Sequence, residues 1–553
     1  MMGARPRRRD RTPAGSIANL PMLKTAVQRA AQSEWAWALA VSLMALALAN
    51  VPYVAGYLAQ SGEWRFAWVA PIAEDNLSYI AKIGQGLRGS WLFHLPYTAQ
   101  AHAGAPVYLY YLLLGHLARW LGLPAVAIYH LARVANGLAL LLVAYAFIQQ
   151  VVESPEERRA LFGWVAFSSG LGWLMLAFGY IFSADVVMPE SNTFFTLMDT
   201  AHFPLAQALM LGAFLSYLRV EAASGRGRWG AAALGALALA ALAVVQPFAV
   251  ATVLGAAGCY GLARIWRDRR WPRALIAGVA LSALAALPIL GFTWVSLNAD
   301  PALRAWQQQN LTPSPLIWDY LTGYGLIAIF AAPGAVWAWR RRSDVDLLML
   351  SWVAATVLAV YSPTTLQRRL VIGLHLPLAC LAGLGVYQAW QPRLRGAARR
   401  LLPRLAWLAT WPTSVALVLL FTAGALAHHP KMFVSADEAE ALEWLSRNAP
   451  ADGVVLSSTA LGMFIPAMTP QRAVSGHTTE TLDVKATEAK VSAFYDPATS
   501  AAERKAALAE WQPDFVLLGP RERVEGLNSL DGVAGLRWVA AFGEVSLYAV
   551  RSP

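Results

Sequence analysis

Glu74 and Asp75 are adjacent carboxylates in the stretch AEDNLSYI (73–80), with Tyr79 and Lys82 close behind. A carboxylate within hydrogen-bond reach of a substrate hydroxyl can take its proton as a new bond forms, so the pair is a candidate general-base site. The same pair is equally well explained as the acidic first turn of a helix, where the dipole favours negative charge. The chain continues WLFHLPYT (91–98), and His102 follows. His94, Tyr97 and His102 could stack on a sugar and bond its hydroxyls, or belong to an aromatic belt at a membrane surface.

A second group lies between Asp185 and His202, with Glu190, Asn192 and Asp199 between them. Asp199 and His202 abut an apolar helix, where a carboxylate beside an imidazole could coordinate a metal or fix an acceptor. Asp185 and Glu190 are expected to be solvated loop groups. The third group is YSPTTLQRRL (361–370). Arg368 and Arg369 fall on the side of the membrane where other loops carry almost no Lys or Arg. Guanidinium groups bond phosphate bidentately, so a lipid-linked phosphate is favoured there over a pair of interfacial anchors or a miscounted helix.

These groups depend on what holds them. Of 553 residues 57% are hydrophobic and only 14% charged, with 23 tryptophans and a mean hydropathy of +0.44. That is too little charge to cover a soluble chain of this length. Eleven apolar segments of spanning length are expected, near 35–57, 125–148, 161–183, 202–220, 230–247, 248–266, 274–296, 317–339, 345–361, 370–388 and 404–427. Clusters of Arg at 226–228, 267–270, 340–342 and 393–404 fall on the same side as the basic run Arg5 to Arg11. Their placement follows the positive-inside rule, so the net charge of +11 reads as membrane topology and not as a nucleic-acid interface. The segment 106–121 is apolar enough to enter the membrane, but counting it as a span would reverse everything downstream. The two cysteines, Cys259 and Cys380, lie inside apolar runs, so neither a disulfide framework nor a thiolate metal site is expected.

The expected organisation is a basic cytoplasmic tail (1–34), a multi-spanning domain (35–430) with a long first external loop (59–105), and a soluble extracytoplasmic α/β domain (431–553). Roughly half of all Asp and Glu fall in that last part. Ser435 with Glu438, and Ser500 with Glu503, are capping boxes that open helices. Strand-like runs occur at 454–456, 515–518, 536–541 and 545–550. No Gly-rich phosphate loop or metal-ligand spacing is present in it, which favours a supporting role.

Glu74-Asp75, the aromatic stretch from Pro106 to Tyr129-His-Leu-Ala-Arg133, Asp199 before its helix, Arg368-Arg369 before a helix with Pro377, and the terminal α/β domain come in an order that resembles the GT-C superfamily of membrane glycosyltransferases. The likeness is to bacterial enzymes related to protein mannosyltransferases and aminoarabinose transferases. The resemblance implies a GT-C-like α-helical polytopic fold of about eleven spans in a plasma (inner) membrane. It also implies a hexosyltransferase moving a sugar, with inversion, from a polyprenyl-phosphate donor to a lipid, glycan or protein acceptor on the extracytoplasmic face.

Carried over residue by residue, Asp75 is the base, with Glu74 second; Arg368 and Arg369 meet the donor phosphate. By residue type and position, Tyr79, Lys82, His94, Tyr97, His102, Asp199 and His202 are the candidates for binding acceptor or sugar. The Glu-Asp-Asn order departs from the two acids and an aromatic common among relatives, which leaves the choice of base open. No cofactor is fixed by the sequence, and a divalent metal is admissible. A lipid or solute transporter is the rival reading, and would predict mid-helix charges and broken helices in paired halves.

Overall fold

The computed structural model describes residues 20–551, with side chains from residue 33 onward; the basic run Arg5 to Arg11 lies outside the described residues. Among these, ten helices are long and apolar enough to cross a membrane, from Ser33–Leu58 to Gly396–Leu426. The eleventh expected segment forms Asp344–Ala359, opened by a capping box of Ser343 and Asp346, but has only 16 residues. At 1.5 Å per residue it is about 24 Å long, shorter than the ~30 Å hydrocarbon core, yet it connects the two ends of the bundle, with Asp344 paired to Arg264 at one end and the Val360 carbonyl accepting from Ser314 at the other. The segment at 106–121 folds as α3 (Leu109–Leu121), about 20 Å long, too short to span. It packs instead on α2 (Ala73–Leu87), the helix of the long loop after α1 (Leu20–Leu58).

Where backbone polar groups cannot reach water they must be satisfied within the protein. The helix expected at 161–183 shows how. It breaks between Pro155–Phe167 and Gly172–Ala177. Asp185 fills the break by accepting from the Gly170 and Gly172 N–H groups and from the Ser169 and Ser183 hydroxyls. Asp185 and Glu190, expected in solvent, are 1% and 5% exposed. The reason is that 184–198 forms short helices tucked into the bundle rather than an open loop.

Small residues set the close helix crossings. Gly334 and Gly385 face each other's backbones in the bundle, and a Cβ on Gly86 or Gly115 would run into the opposite backbone of the α2–α3 pair. At one end of the bundle the basic loops are tied by ion pairs, Arg264 with Asp344 at 3.1 Å and Arg267 with Asp344 at 2.8 Å. The candidate site residues gather at the other end.

The C-terminal domain is joined to the first loop by a two-stranded ribbon, β1 (Trp64–Phe66) antiparallel to β2 (Phe433–Ser435). Its five-stranded sheet has the order β4-β3-β5-β7-β6, formed by β3 (Val454–Leu456), β4 (Arg472–Ala473), β5 (Phe515–Leu518), β6 (Leu536–Phe542) and β7 (Val545–Val550). β3 is parallel to β4 and β5, while β7 is antiparallel to β5 and β6. Both expected capping boxes form, at Ser435 and Ser500.

Candidate active site

Helix α2 begins at Ala73, so Glu74 and Asp75 do occupy its first turn. The dipole explanation therefore holds, but the two carboxylates are used differently. Glu74 accepts from the Thr478 N–H of the C-terminal domain, whereas 46% of the Asp75 side chain is accessible although protein is packed densely around it. Asp75 thus lies on the wall of a recess. Burial alone would raise its carboxyl; the His477 imidazole beside it and the charges of Lys82 and Arg369 outweigh this and hold it below the ordinary carboxylate value.

The recess has an aromatic side. Tyr79 stacks on Tyr111, with centroids 4.5 Å apart and planes 12° from parallel. Tyr108 lies 6.2 Å from Tyr79, and His202 meets the Tyr79 ring edge-on at 5.0 Å. His202 Nδ1 is 2.7 Å from the Tyr111 hydroxyl. Facing them is the short helical turn Gln367–Val371. Arg369 donates to Asn310 Oδ1 at 3.0 Å and lies over the Phe248 ring, close enough for its charge to act on Asp75 and Tyr79. Arg368 acts similarly on Glu190, and its buried Nε has no partner. A guanidinium with an unused donor, beside a second that has one anchoring bond, can still receive an anion.

Asp199 lies behind Asp75. It is 1% exposed and accepts from Asn76 Nδ2 at 3.0 Å. Burial raises its carboxyl to about 8, despite the bond from Asn76, so it is mostly neutral at pH 7. Tyr129 bonds both Asn76 and the Asp199 carbonyl. Arg133, four residues on, donates to the Leu197 carbonyl and to Asn50. The stretch Tyr129 to Arg133 therefore anchors α2 and the second loop to the bundle.

Lys82 has no accessible surface. Its ammonium pairs with Glu480 of the C-terminal domain at 2.6 Å and sits 4.0 Å over the Tyr108 ring. Tyr97 is fully buried and donates to the Met463 carbonyl. His94 and His102 lie on the outer edge of the loop, their rings 5.8 Å apart. There His102 Nε2 accepts from the Leu95 N–H. The structure thus brings Asp75, Tyr79, His202 and Arg369 to one recess, puts Glu74, Lys82 and Tyr97 in its contact with the C-terminal domain, and leaves His94 and His102 apart. Among the described residues no group of three or more His, Cys, Asp and Glu side chains is arranged to hold a metal ion.

Sequence reasoning missed His477 and Glu480. His477 is the sole histidine after residue 431, three residues before a glutamate in a Thr-rich turn. That was the available signal, but it has neither periodicity nor motif spacing. With their turn the C-terminal domain reaches the site directly.

Ten long apolar helices and the shorter Asp344–Ala359 that runs between the two ends of the bundle, a loop helix carrying an acid pair beneath a terminal α/β domain, and an arginine whose charge acts on that pair make up a membrane protein of the GT-C fold. The fold is shared with ArnT from Cupriavidus metallidurans in the apo state, at a TM-score of 0.54 and 14% identity over 94% of this chain and 98% of that one. ArnT bound to undecaprenyl phosphate aligns at 0.51 and 14%, covering 91% and 97%. The oligosaccharyltransferase AglB from Archaeoglobus fulgidus, in complex with an inhibitory peptide and a dolichol-phosphate, aligns at 0.55 and 12%, covering 87% of this chain and 69% of that one. At these identities the likeness is one of fold. No curated protein matches in sequence. The chain belongs to a family of unknown function, DUF6541, which it matches over residues 197–552.

Proposed function

We propose that this chain is an inverting membrane glycosyltransferase, of hexosyltransferase type, that moves a sugar from a polyprenyl-phosphate donor to a lipid, glycan or protein acceptor at the extracytoplasmic face of a plasma membrane. The observation that carries the reading is an Asp75 carboxyl that is held below its ordinary value, 46% accessible, and within reach of the Arg369 charge. Inverting transfer needs a base on the attacking hydroxyl on one side of the sugar and positive charge for the departing phosphate on the other. Solved structures of the same fold with undecaprenyl phosphate and dolichol-phosphate bound support a lipid-phosphate partner. Glu74 is the lesser candidate because its carboxylate is occupied by the Thr478 N–H.

In this reading Asp75 Oδ accepts the acceptor's hydroxyl proton as its oxygen attacks the anomeric carbon. Arg368 and Arg369 receive the charge of the leaving phosphate, and Tyr79 and Tyr111 offer a flat apolar face to a sugar ring. The test is sugar transfer by purified protein in nanodiscs with a panel of polyprenyl-phosphate sugars, comparing wild type with Asp75→Asn. Transfer that falls by at least about a hundredfold in the variant while donor binding persists is the expected result. Movement of lipid or solute across the bilayer with no donor bound would replace this reading with a transporter.

A further inference from the structure

The turn at 477–480 places a buried imidazole against the one accessible carboxylate of the recess. His477 is 2% exposed. Its Nδ1 accepts from the Thr479 N–H at 3.1 Å and the Glu480 N–H at 3.3 Å, so in the neutral ring the proton must sit on Nε2. Nε2 lies 3.3 Å from Asp75 Oδ1, forms no hydrogen bond of good geometry to it or to any other group, and so is a buried donor whose nearest acceptor is that carboxylate. Protonation of the ring would add a hydrogen at Nδ1, 3.6 Å from Glu74 Oε1, and leave the Nε2 proton in place. In both states a donor faces Asp75.

The turn itself is fixed from below by α2. Glu480 Oε1 accepts from Ser78 at 2.9 Å and from Lys82 at 2.6 Å. Glu74 takes the Thr478 N–H, and Tyr97 flanks the imidazole at 5.4 Å between ring centroids. From α2, therefore, Glu74, Asp75 and Lys82 face His477; from its own turn Glu480 does; from the first loop Tyr97 does. A side chain held by its backbone neighbours on one side and offering a single proton on the other is built to orient what it faces.

We propose that His477, supplied by the C-terminal domain, is a positioning residue for Asp75. Its Nε2 donor approaches Oδ1 from one side and leaves the rest of the carboxylate turned into the recess toward the acceptor hydroxyl. The active site is then completed by a domain that follows the last membrane helix, and docking of that domain is a condition for a correctly aimed base. This inference rests on Asp75 being the base, but its structural content can be read without any reaction.

The experiment is a pH titration of the Asp75 carboxyl by infrared difference spectroscopy of the full chain in lipid, with Asp75→Asn identifying the band. His477→Ala and His477→Gln are compared with wild type. Glutamine keeps an N–H donor and an acceptor, and serves also if alanine loosens the turn. His477→Ala is expected to move the Asp75 midpoint to higher pH and His477→Gln to restore part of the shift. Where a donor supports transfer, kcat is expected to fall about tenfold or more in the alanine variant, with its acid limb moved in the same direction and partial rescue by glutamine. An unmoved Asp75 midpoint in a folded His477→Ala protein overturns the proposal, whatever the rate. A shifted midpoint with no transfer from any donor leaves the positioning role standing and removes the transferase reading instead.

Discussion

Asp75 is held ionised by the His477 imidazole and the charges of Lys82 and Arg369, which come from separate parts of the chain, and that has a kinetic signature. A carboxyl whose folded pKa is depressed acts as a base at any pH above that value and loses the role only as pH falls through it. The kcat/KM of the wild-type protein should therefore stay level from neutral pH down through the ordinary carboxylate pKa and drop only on its acid side. Arg369→Ala removes one of the charges that lower Asp75, so it should weaken donor binding and also move the acid limb to higher pH. An Arg369→Ala protein with weaker donor binding and an unmoved limb would confine Arg369 to the phosphate. Asp199 carries the opposite sign. Its folded pKa of about 8 lies above the unfolded carboxylate value of about 3.9, so its contribution is lost as pH rises between the two. Asp199→Asn keeps an oxygen for Asn76 and should gain stability over wild type by about 1.4 kcal/mol per pH unit across that window, levelling off above it. Parallel melting curves of the two proteins between pH 4 and pH 8 would expose a wrong assignment.

Helix α2 has one face on the membrane bundle and one under the C-terminal domain, and the Lys82–Glu480 pair holds the second contact. Both partners are buried, at 0% and 4% side-chain exposure, and Glu480 Oε2 already lacks a partner. Lys82→Met leaves that carboxylate unpaired and should cost about 3–5 kcal/mol of stability. Adding Glu480→Gln removes the stranded charge, and the double variant should recover much of the loss. Thermal unfolding of the two variants in one detergent tests this, and an additive double variant would show that the groups do not act as a pair. The pair also shows the limit of sequence at this scale. Capping boxes at Ser435 and Ser500 and the terminal strands were legible because each is encoded by residues within a few positions of one another. Lys82 and Glu480 are 398 residues apart, and nothing local distinguishes a lysine that will be buried against a distant glutamate from one that will face a substrate. The short helix at 109–121 was ambiguous for a related reason. Its composition suits a membrane, and only its packing through Gly86 and Gly115 shows it lying against α2.

The whole chain was legible where the bilayer sets the rule: long apolar runs had to become helices, and ten of the eleven expected segments are long enough to cross. The second loop was not, because burial of Asp185 depends on backbone donors supplied by a helix break whose position no periodicity marks. The recess was legible in part. Glu74-Asp75 stood out as adjacent carboxylates and Arg368-Arg369 as positive charge on the side where other loops carry almost none, while His477 is an ordinary residue until the domain docks. What unites these pieces is a polarity: ion-paired arginines cluster at one end of the bundle, and the recess and the C-terminal domain lie at the other. If the positive-inside rule holds for this chain, the first end is cytoplasmic. The native cysteines are a quiet background for testing it, since Cys380 is buried and Cys259 only partly exposed within its helix. Val524→Cys, at a position 83% exposed in the C-terminal domain, should react with a membrane-impermeant maleimide added to intact cells. Arg395→Cys, exposed at the basic end, should react only after the membrane is opened. The reverse pattern would put the recess in the cytoplasm, where an acceptor at the outer face could not reach Asp75, and the proposed reaction would have to be moved to the other side of the membrane.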